Sequence, residues 1–383
     1  MESYDYAAAD PAVVAHLDNG SNPRADRIRW MLALPDLTRR PVSPVKFLVE
    51  QALAAPCLAG ADRVSFPEVI STRRNFDLLN SPPDHPSRRP SDTYYIDDDH
   101  VLRTQTTSMW TWYLTDAAVR AKLVDEGSVT GVSYGKVYRN DEIDRSHYPV
   151  FHQIDALHLC HRRRQVFGTD DLDAVLEQIA ATIYGAGVVT RLSDDSFPFT
   201  EPSRQLEVQW QDDWLELVGA GLVHEQVLAN LGLDPAEYNG WAFGFGLDRL
   251  AMRKMNIPDI RILWSDDERI QRQFTSIDSQ YEAVSKYPPT LRDISFVIAK
   301  DRALTDFYEI VRDSGRIGAE SIVEAVEHVD TYADAKRFGA DKISQTFRIV
   351  YRSFLRTLTN DEINAVQAKI RALVVTELKA DLR

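Results

Sequence analysis

The sequence predicts an α+β protein of two units, on three observations. β-rich runs at 132–138 and 151–159 flank a polar stretch, the pattern of an antiparallel hairpin with a long loop. After about Gln280 the texture changes to strand, helix, strand, strand, helix, the order of a small ferredoxin-like α+β unit. With 383 residues the chain is also too long for one ordinary core. At about 150 residues per domain it should hold two or three.

The first 40 residues are rich in Ala, Asp, Pro and Asn without sustained periodicity, and read as a loosely packed extension. Ser43-Pro44 is an N-cap with proline at the first helical position, opening an amphipathic helix on Val45, Phe47, Leu48, Val49 and Leu53. Pro82, Pro83, Pro86 and Pro90 among charges mark residues 72–100 as an ordered loop region leading into a strand at 92–96. Residues 170–184 place Leu172, Val175, Leu176, Ile179 and Ile183 at helical spacing. Strand returns over 206–219, and 243–255 joins a glycine-rich turn to a helix. Beyond Gln280, 294–299 reads as strand, 305–314 as helix, 321–329 and 343–351 as strands and 361–378 as a long helix, with the last ferredoxin-like strand missing or displaced.

Composition excludes several classes. With 44% hydrophobic and 27% charged residues the chain is neither mainly disordered nor a coiled coil. No apolar run approaches the roughly 20 residues that cross a bilayer. Two cysteines, Cys57 and Cys160, cannot build a disulfide framework and suit a reducing compartment. The start Met-Glu-Ser-Tyr-Asp lacks the features of a secretory signal or a transit peptide, so the expectation is a cytoplasmic protein, or an organellar one already processed. A net charge of −14 argues against a non-specific coat for nucleic acid. The charge is uneven: residues 286–383 hold 16 Lys and Arg against 15 Asp and Glu, and residues 1–285 hold 28 against 43. A near-neutral tail on an acidic body marks a boundary, and is where a polyanion could dock.

No Gly-x-Gly-x-x-Gly follows a strand and no Gly-Lys-Ser/Thr occurs, so a bound nucleotide must be held by side-chain arginines. Three segments offer the means. In GKVYRNDEIDRSHYPVFHQID (135–155), Arg139 suits a phosphate, Asp141 and His147 an amine, and Phe151 a stacked base. WLELVGAG (214–221) sets Glu216 on a strand whose apolar neighbours should bury it. AFGFGLDRLAM (242–252) carries Arg249 on the helix after the glycines. A lone arginine after a strand is commonly a surface residue, but the three segments in this order are specific.

These segments resemble motifs 2 and 3 of the class II aminoacyl-tRNA synthetases, and their wording is similar to the phenylalanyl-tRNA synthetase family. NFDLLNSPPDHPSRRPSDTYYI (75–96), LRTQTTS (102–108), FPFTEPS (197–203) and GWAFGFGLDRLAM (240–252) resemble its catalytic subunit. SKYPPTLRDISFVI (285–298) and RTLTNDEI (356–363) resemble the anticodon-binding domain fused to the single-chain, mitochondrial-type form. The resemblance covers about residues 43–383. It implies an extension (1–42), a catalytic domain with an antiparallel sheet flanked by helices (43–275), a linker (276–285) and a ferredoxin-like anticodon-binding domain (286–383).

The resemblance also implies roles. Arg139 would hold the α-phosphate of ATP and the substrate carboxylate, and Arg249 the γ-phosphate. Phe151 would stack on adenine with His147 and Asp141 nearby, and Glu216 would hold Mg²⁺ with the phosphates. Gln105, Thr107, Gln153 and Asp155 would line the ammonium and carboxylate end of the amino acid. Phe197 and Phe199 would meet its ring, with Ala242 closing the pocket beyond the para carbon. Without the resemblance, the two phenylalanines read as plain core. Asp155 stands where the family usually has Glu, and Thr107 where it usually has Ser. The implied activity is ligation of phenylalanine to tRNA(Phe) by a monomer using ATP and Mg²⁺. The alternatives are a specialised paralogue acting on a modified phenylalanine or protecting against a phenylalanine mimic, and a non-catalytic tRNA-binding relative.

Overall fold

A computed structural model describes the chain except for residues 7–10, 12, 14, 16, 18–22, 141–143, 212 and 284–286. It divides into two compact units. One comprises Met1–Arg139, Pro149–Asn256 and Phe274–Gln280, the other Asn140–Tyr148, Ile257–Gln273 and Tyr281–Arg383.

The first unit is built on a sheet of β1 (Ser3–Asp5), β2 (Asp62–Ser65), β3 (Ser128–Tyr138), β4 (Val150–His161), β5 (Thr190–Phe197), β6 (Thr200–Trp210), β7 (Asp213–Val223) and β8 (Tyr238–Gly246). Their spatial order is β1-β2-β3-β4-β8-β7-β6-β5. β1, β2 and β3 run parallel, and every pairing from β3 onward is antiparallel. The long β3–β4 hairpin is the one its alternating β-rich runs predict. Residues 206–219 are instead parts of two strands, because the chain reverses between β6 and β7 at Gln211, whose φ is 56°.

Helices pack on this sheet. α1 (Pro23–Ala33) comes first, followed by α2 (Pro44–Leu53), which begins with Ser43 at the N-cap and Pro44 at its first position as expected. α3 (Trp110–Tyr113) and α4 (Ala117–Glu126) lead into β3. α5 (Thr169–Tyr184) buries Leu172, Val175, Leu176, Ile179 and Ile183. It packs against β7 and α2, and α2 packs against α6 (Leu247–Lys254). Each buried Leu or Ile contributes roughly 1.5–3 kcal/mol.

Two expectations fail here. Among the described residues the first 40 are not loosely packed: α1 and the turn after it bury Ile28, Met31 and Leu37. The reason lies far away in sequence. Lys136, buried on β3, donates from Nζ to the carbonyls of Leu32 at 2.9 Å and Leu34 at 2.8 Å, satisfying acceptors that a helix end leaves open. Residues 92–96 form no strand, only a bridge from Tyr95 to Val101. Asp97 turns the chain back, its carboxylate accepting from the Asp99 and His100 amides at 2.8 and 2.7 Å.

In the second unit, β9 (Thr290–Ala299), β10 (Val323–Tyr332), β11 (Lys342–Tyr351) and β12 (Asp381–Leu382) form an antiparallel sheet in the order β10-β11-β9-β12. α7 (Thr305–Ser314) and α8 (Asn360–Thr376) pack on each other, and Phe296, Phe307 and Phe347 centre the core. The final strand is therefore present. It is two residues long, paired to Phe296 and Val297, and too short to leave a periodic signal.

Candidate active site

Directly opposed residues in an antiparallel ladder share a face. One row across the first sheet reads Ser133, Asp155, Gly244, Gly219, Gln205, and the next reads Gly131, Leu157, Ala242, Gly221, Ser203. Gln153 follows Asp155 on this face, opposite Gly135 and Gly246, and Phe151 follows Gln153. Where Trp110, Tyr113, Leu157, Leu159 and Ala242 cluster the face is buried core. Toward Gln153 and Phe151 the side chains are only half buried.

The glycines clear this face. The turn expected at Gly244 and Gly246 is strand: Gly240, Gly244 and Gly246 lie in β8, and Gly246 is its last residue before α6. Their alternation puts all three on the face that holds Asp155. A Cβ on Gly244 would stand 2.6 Å from Asp155 Oδ2, and one on Gly219 would stand 2.9 Å from Phe197 Cζ. Both are closer than atoms can pack.

Asp155 is buried beneath the turn Thr106–Met109 and the start of α3. Thr107 Oγ1 donates to its Oδ2 at 2.7 Å, and Trp110 Nε1 donates to its Oδ1 at 3.0 Å. Burial pushes the carboxyl up to about 7, with those two donors pulling the other way. Gln153 Oε1 accepts from the Thr106 amide at 3.2 Å. Gln105 is the half-buried residue that opens this turn. The turn is itself pinned from behind. Arg103, fully buried, donates to the carbonyls of Lys136 at 2.7 Å and Phe66 at 2.8 Å, and the Asn75 amide brackets Thr104.

Phe197 and Phe199 flank the β5–β6 turn with rings stacked at 5.8 Å, and Phe199 meets Trp110 edge-on at 5.7 Å. Ala242 lies in the same cluster. The amino-acid residues implied by the resemblance therefore share one unit and one sheet face. Sequence reasoning missed Trp110, Ser133 and the two glycines. The strict alternation in Gly-Trp-Ala-Phe-Gly-Phe-Gly is the signal that could have found Gly244.

At the other end of the face Arg139 leaves β3 exposed, its guanidinium 5.1 Å over the Phe151 ring. Arg249 is exposed in the first turn of α6. Its neighbour Asp248 is buried and fixes that turn to β4, accepting from the His152 amide at 2.5 Å and facing His152 Nδ1 at 3.1 Å. His152 Nε2 in turn accepts from the Leu37 amide at 3.1 Å, tying in the chain after α1. Asp141 lies outside the described residues. His147 belongs to the second unit, its Nδ1 2.7 Å from Asp144.

Glu216 departs from expectation: it is exposed. The ladder shifts by one residue between Leu206↔Val218 and Glu207↔Glu216, a bulge that sends both Leu217 and Val218 inward and leaves Glu216 on the open face. There it stands opposite Glu207, which Arg191 holds at 2.6 Å. No cluster of three or more metal-ligating side chains occurs among the described residues. A Mg²⁺ held mainly by substrate phosphates and water needs only one or two carboxylates, and the exposed Glu216 can supply one, Glu207 being paired with Arg191.

Comparison with known proteins gives two family matches: "tRNA synthetases class II core domain (F)" over residues 39–274 and "Ferredoxin-fold anticodon binding domain" over 285–383. The chain is 38% identical to the chloroplastic/mitochondrial phenylalanine–tRNA ligase of Arabidopsis thaliana, covering 82% of this chain and 71% of that one. It is 35% identical to the mitochondrial phenylalanine–tRNA ligase of Mus musculus, over 83% and 74%. It is 39% identical to the phenylalanine–tRNA ligase alpha subunit of Clostridium novyi, over 54% and 61%.

Proposed function

The chain belongs to the phenylalanine–tRNA ligase family, a class II synthetase core joined to a ferredoxin-fold anticodon-binding domain, and from that premise we propose how its own residues carry the reaction. Phenylalanine and ATP give phenylalanyl-adenylate and pyrophosphate, and the acyl group then passes to the terminal adenosine of tRNA(Phe). The observation that carries this reading is the single glycine-cleared face with Asp155 and the phenylalanine pair at one end and Arg139 and Phe151 at the other, with Arg249 on the helix that follows β8. The comparisons lend no support to a specialised paralogue or a non-catalytic relative.

The substrate carboxylate is already ionised at neutral pH, so attack on the α-phosphorus needs no protein base. The protein's part is to align two anions and stabilise the charge that develops. Asp155, with Thr107 beside it, receives the ammonium; Gln153 and Gln105 flank the carboxylate; Phe197, Phe199 and Ala242 enclose the ring. A base stacked on Phe151 takes the place of the Arg139 guanidinium now resting there and frees it for the α-phosphate. Arg249, held in place through Asp248, meets the γ-phosphate as pyrophosphate departs. The resemblance also assigns His147 and Asp141 to ATP, but His147 lies in the second unit and Asp141 outside the described residues, so neither enters this reading. Glu216 would hold Mg²⁺, which when bound offsets phosphate charge.

The second unit binds the tRNA, and the enzyme acts as a monomer of 43.5 kDa, which sedimentation velocity checks. No helix among the described residues is long and apolar enough to cross a membrane. The relatives' mitochondrial and chloroplast locations favour the organellar alternative over the cytoplasm. The deciding experiment is pyrophosphate exchange with a panel of amino acids. Exchange driven by phenylalanine above all others supports the assignment, and exchange driven by another amino acid or by none defeats it.

A further inference from the structure

Asp155 has the most unusual surroundings of any carboxylate on the candidate face. Both of its oxygens are engaged, one by an indole and one by a hydroxyl. The groups against it from every neighbouring element are Thr107 and Trp110 above, Ser133 across β3 and Gly244 across β8, and none of these carries a charge. The Ser133 hydroxyl is buried without a hydrogen-bond partner among the described residues. Trp110 also reaches the other end of the pocket, where its ring meets Phe199 edge-on at 5.7 Å. One side chain thus touches both the proposed ammonium anchor and the proposed ring wall.

We propose that Trp110, together with Thr107, is a positioning residue that aims the Asp155 carboxylate at the ammonium group of the amino-acid substrate. This rests on the function proposed above and adds to it a residue for which the sequence offered no role. A carboxylate has about four lone-pair sites, and two neutral donors leave room for an incoming cation while fixing the direction it must come from. Without those donors a fully buried carboxyl would remain protonated and offer the ammonium no charge. Burial holds Asp155 near 7 with both donors in place, so losing either one moves it further up and empties the charged form at working pH. The ammonium supplies the missing cation, so amino-acid binding and ionisation of Asp155 reinforce each other.

The test is phenylalanine-dependent pyrophosphate exchange on the full chain, with 3-phenylpropionate, which lacks the amine, as a competitive inhibitor. In the wild type the KM for phenylalanine should rise as pH falls below about 7, by up to tenfold per unit, while the Ki of 3-phenylpropionate stays flat. Trp110→Phe keeps a ring against Phe199 and removes the N–H. It should raise the phenylalanine KM about tenfold or more, as loss of a hydrogen bond to a charged group does, and shift the pH profile upward. The Ki of 3-phenylpropionate should change by less than twofold, and kcat should fall far less than KM rises. Thr107→Val, which keeps shape and removes the other donor, should behave alike and stands in if Trp110→Phe does not fold. Equal losses for both ligands would mean that the indole merely packs the ring, and an unmoved phenylalanine KM would mean that Asp155 needs neither donor; either overturns the proposal. Wild-type protein without phenylalanine-dependent exchange would instead defeat the function itself.

Discussion

Arg249 projects from the first turn of α6 into solvent, so Arg249→Ala should leave the fold intact. Exchange activity should drop by on the order of 10²-fold or more, the usual cost of removing a preorganised charge at a developing anion. Activity within threefold of wild type counts against the role. Two small residues on adjacent strands of the candidate face test the ring pocket. Ala242→Gly should open space beyond the para carbon and improve para-chlorophenylalanine relative to phenylalanine, with about 0.8 kcal/mol available from one filled CH₂. Gly219→Ala should do the reverse, because its Cβ would drive Phe197 inward from 2.9 Å. Exchange with both amino acids on both variants separates pocket effects from general damage: a preference ratio unchanged in Ala242→Gly sinks that placement. At this scale Arg139, Phe151, Asp155 and Arg249 were legible because their types and spacing carry the resemblance. Trp110 was not, because an indole in an apolar run reads as core until its N–H is seen to meet a carboxylate 45 residues away.

α8 begins with a capping box: Thr359 accepts from the Glu362 amide at 3.3 Å, and Glu362 accepts from the Thr359 amide at 2.9 Å. Thr359→Ala should cost about 1 kcal/mol. For a unit of this size the melting temperature should fall by about 4–8 °C, measurable by calorimetry, without loss of adenylate synthesis. The Arg356 guanidinium, and then Thr359, hold the Glu362 carboxyl down at about 2. A depressed carboxylate stabilises the fold above its unfolded value and loses that contribution as pH falls through the folded one. Stability of the second unit should therefore decline from about pH 4.5 toward 2, more steeply in wild type than in Glu362→Gln. Elements with long periodic patterns, such as α5, α7 and the β3–β4 hairpin, were readable in advance. The glycine strand β8 was mistaken for a turn because glycine signals backbone freedom in both settings, and only the neighbouring Asp155 reveals that Gly244 is there to make room. The bulge that exposes Glu216 has no local signal, since it is a property of the ladder with β6.

The two units predict separable activities. A chain ending at residue 285 keeps all the strands of the first sheet and the described residues of the candidate face. It should still make adenylate but should fail to charge tRNA. Binding of tRNA by the full chain should weaken steeply with salt, as counterion release requires. Charging at a normal rate by the truncated protein would contradict the assignment. The second unit also takes in residues 140–148 and 257–273: Arg145 pairs with Glu324, and Tyr148 meets Trp264 at 5.3 Å. Truncation at residue 285 therefore removes Glu324 from Arg145 and keeps Trp264 beside Tyr148.

By itself the sequence determined the class of fold, the presence of two units and the family whose reaction it shares, and it singled out the candidate arginines. Those rest on local periodicity and on short motifs whose spacing survives without coordinates. The tertiary structure decided which of those residues share a face, why Gly219 and Gly244 must be glycines, that Glu216 is exposed, that the chain after α1 is bound to the sheet through Lys136 and His152, and that Trp110 reaches Asp155. All of these depend on pairs distant in sequence, brought together by strand register and packing, and a one-residue shift of register would change every one of those on the sheet.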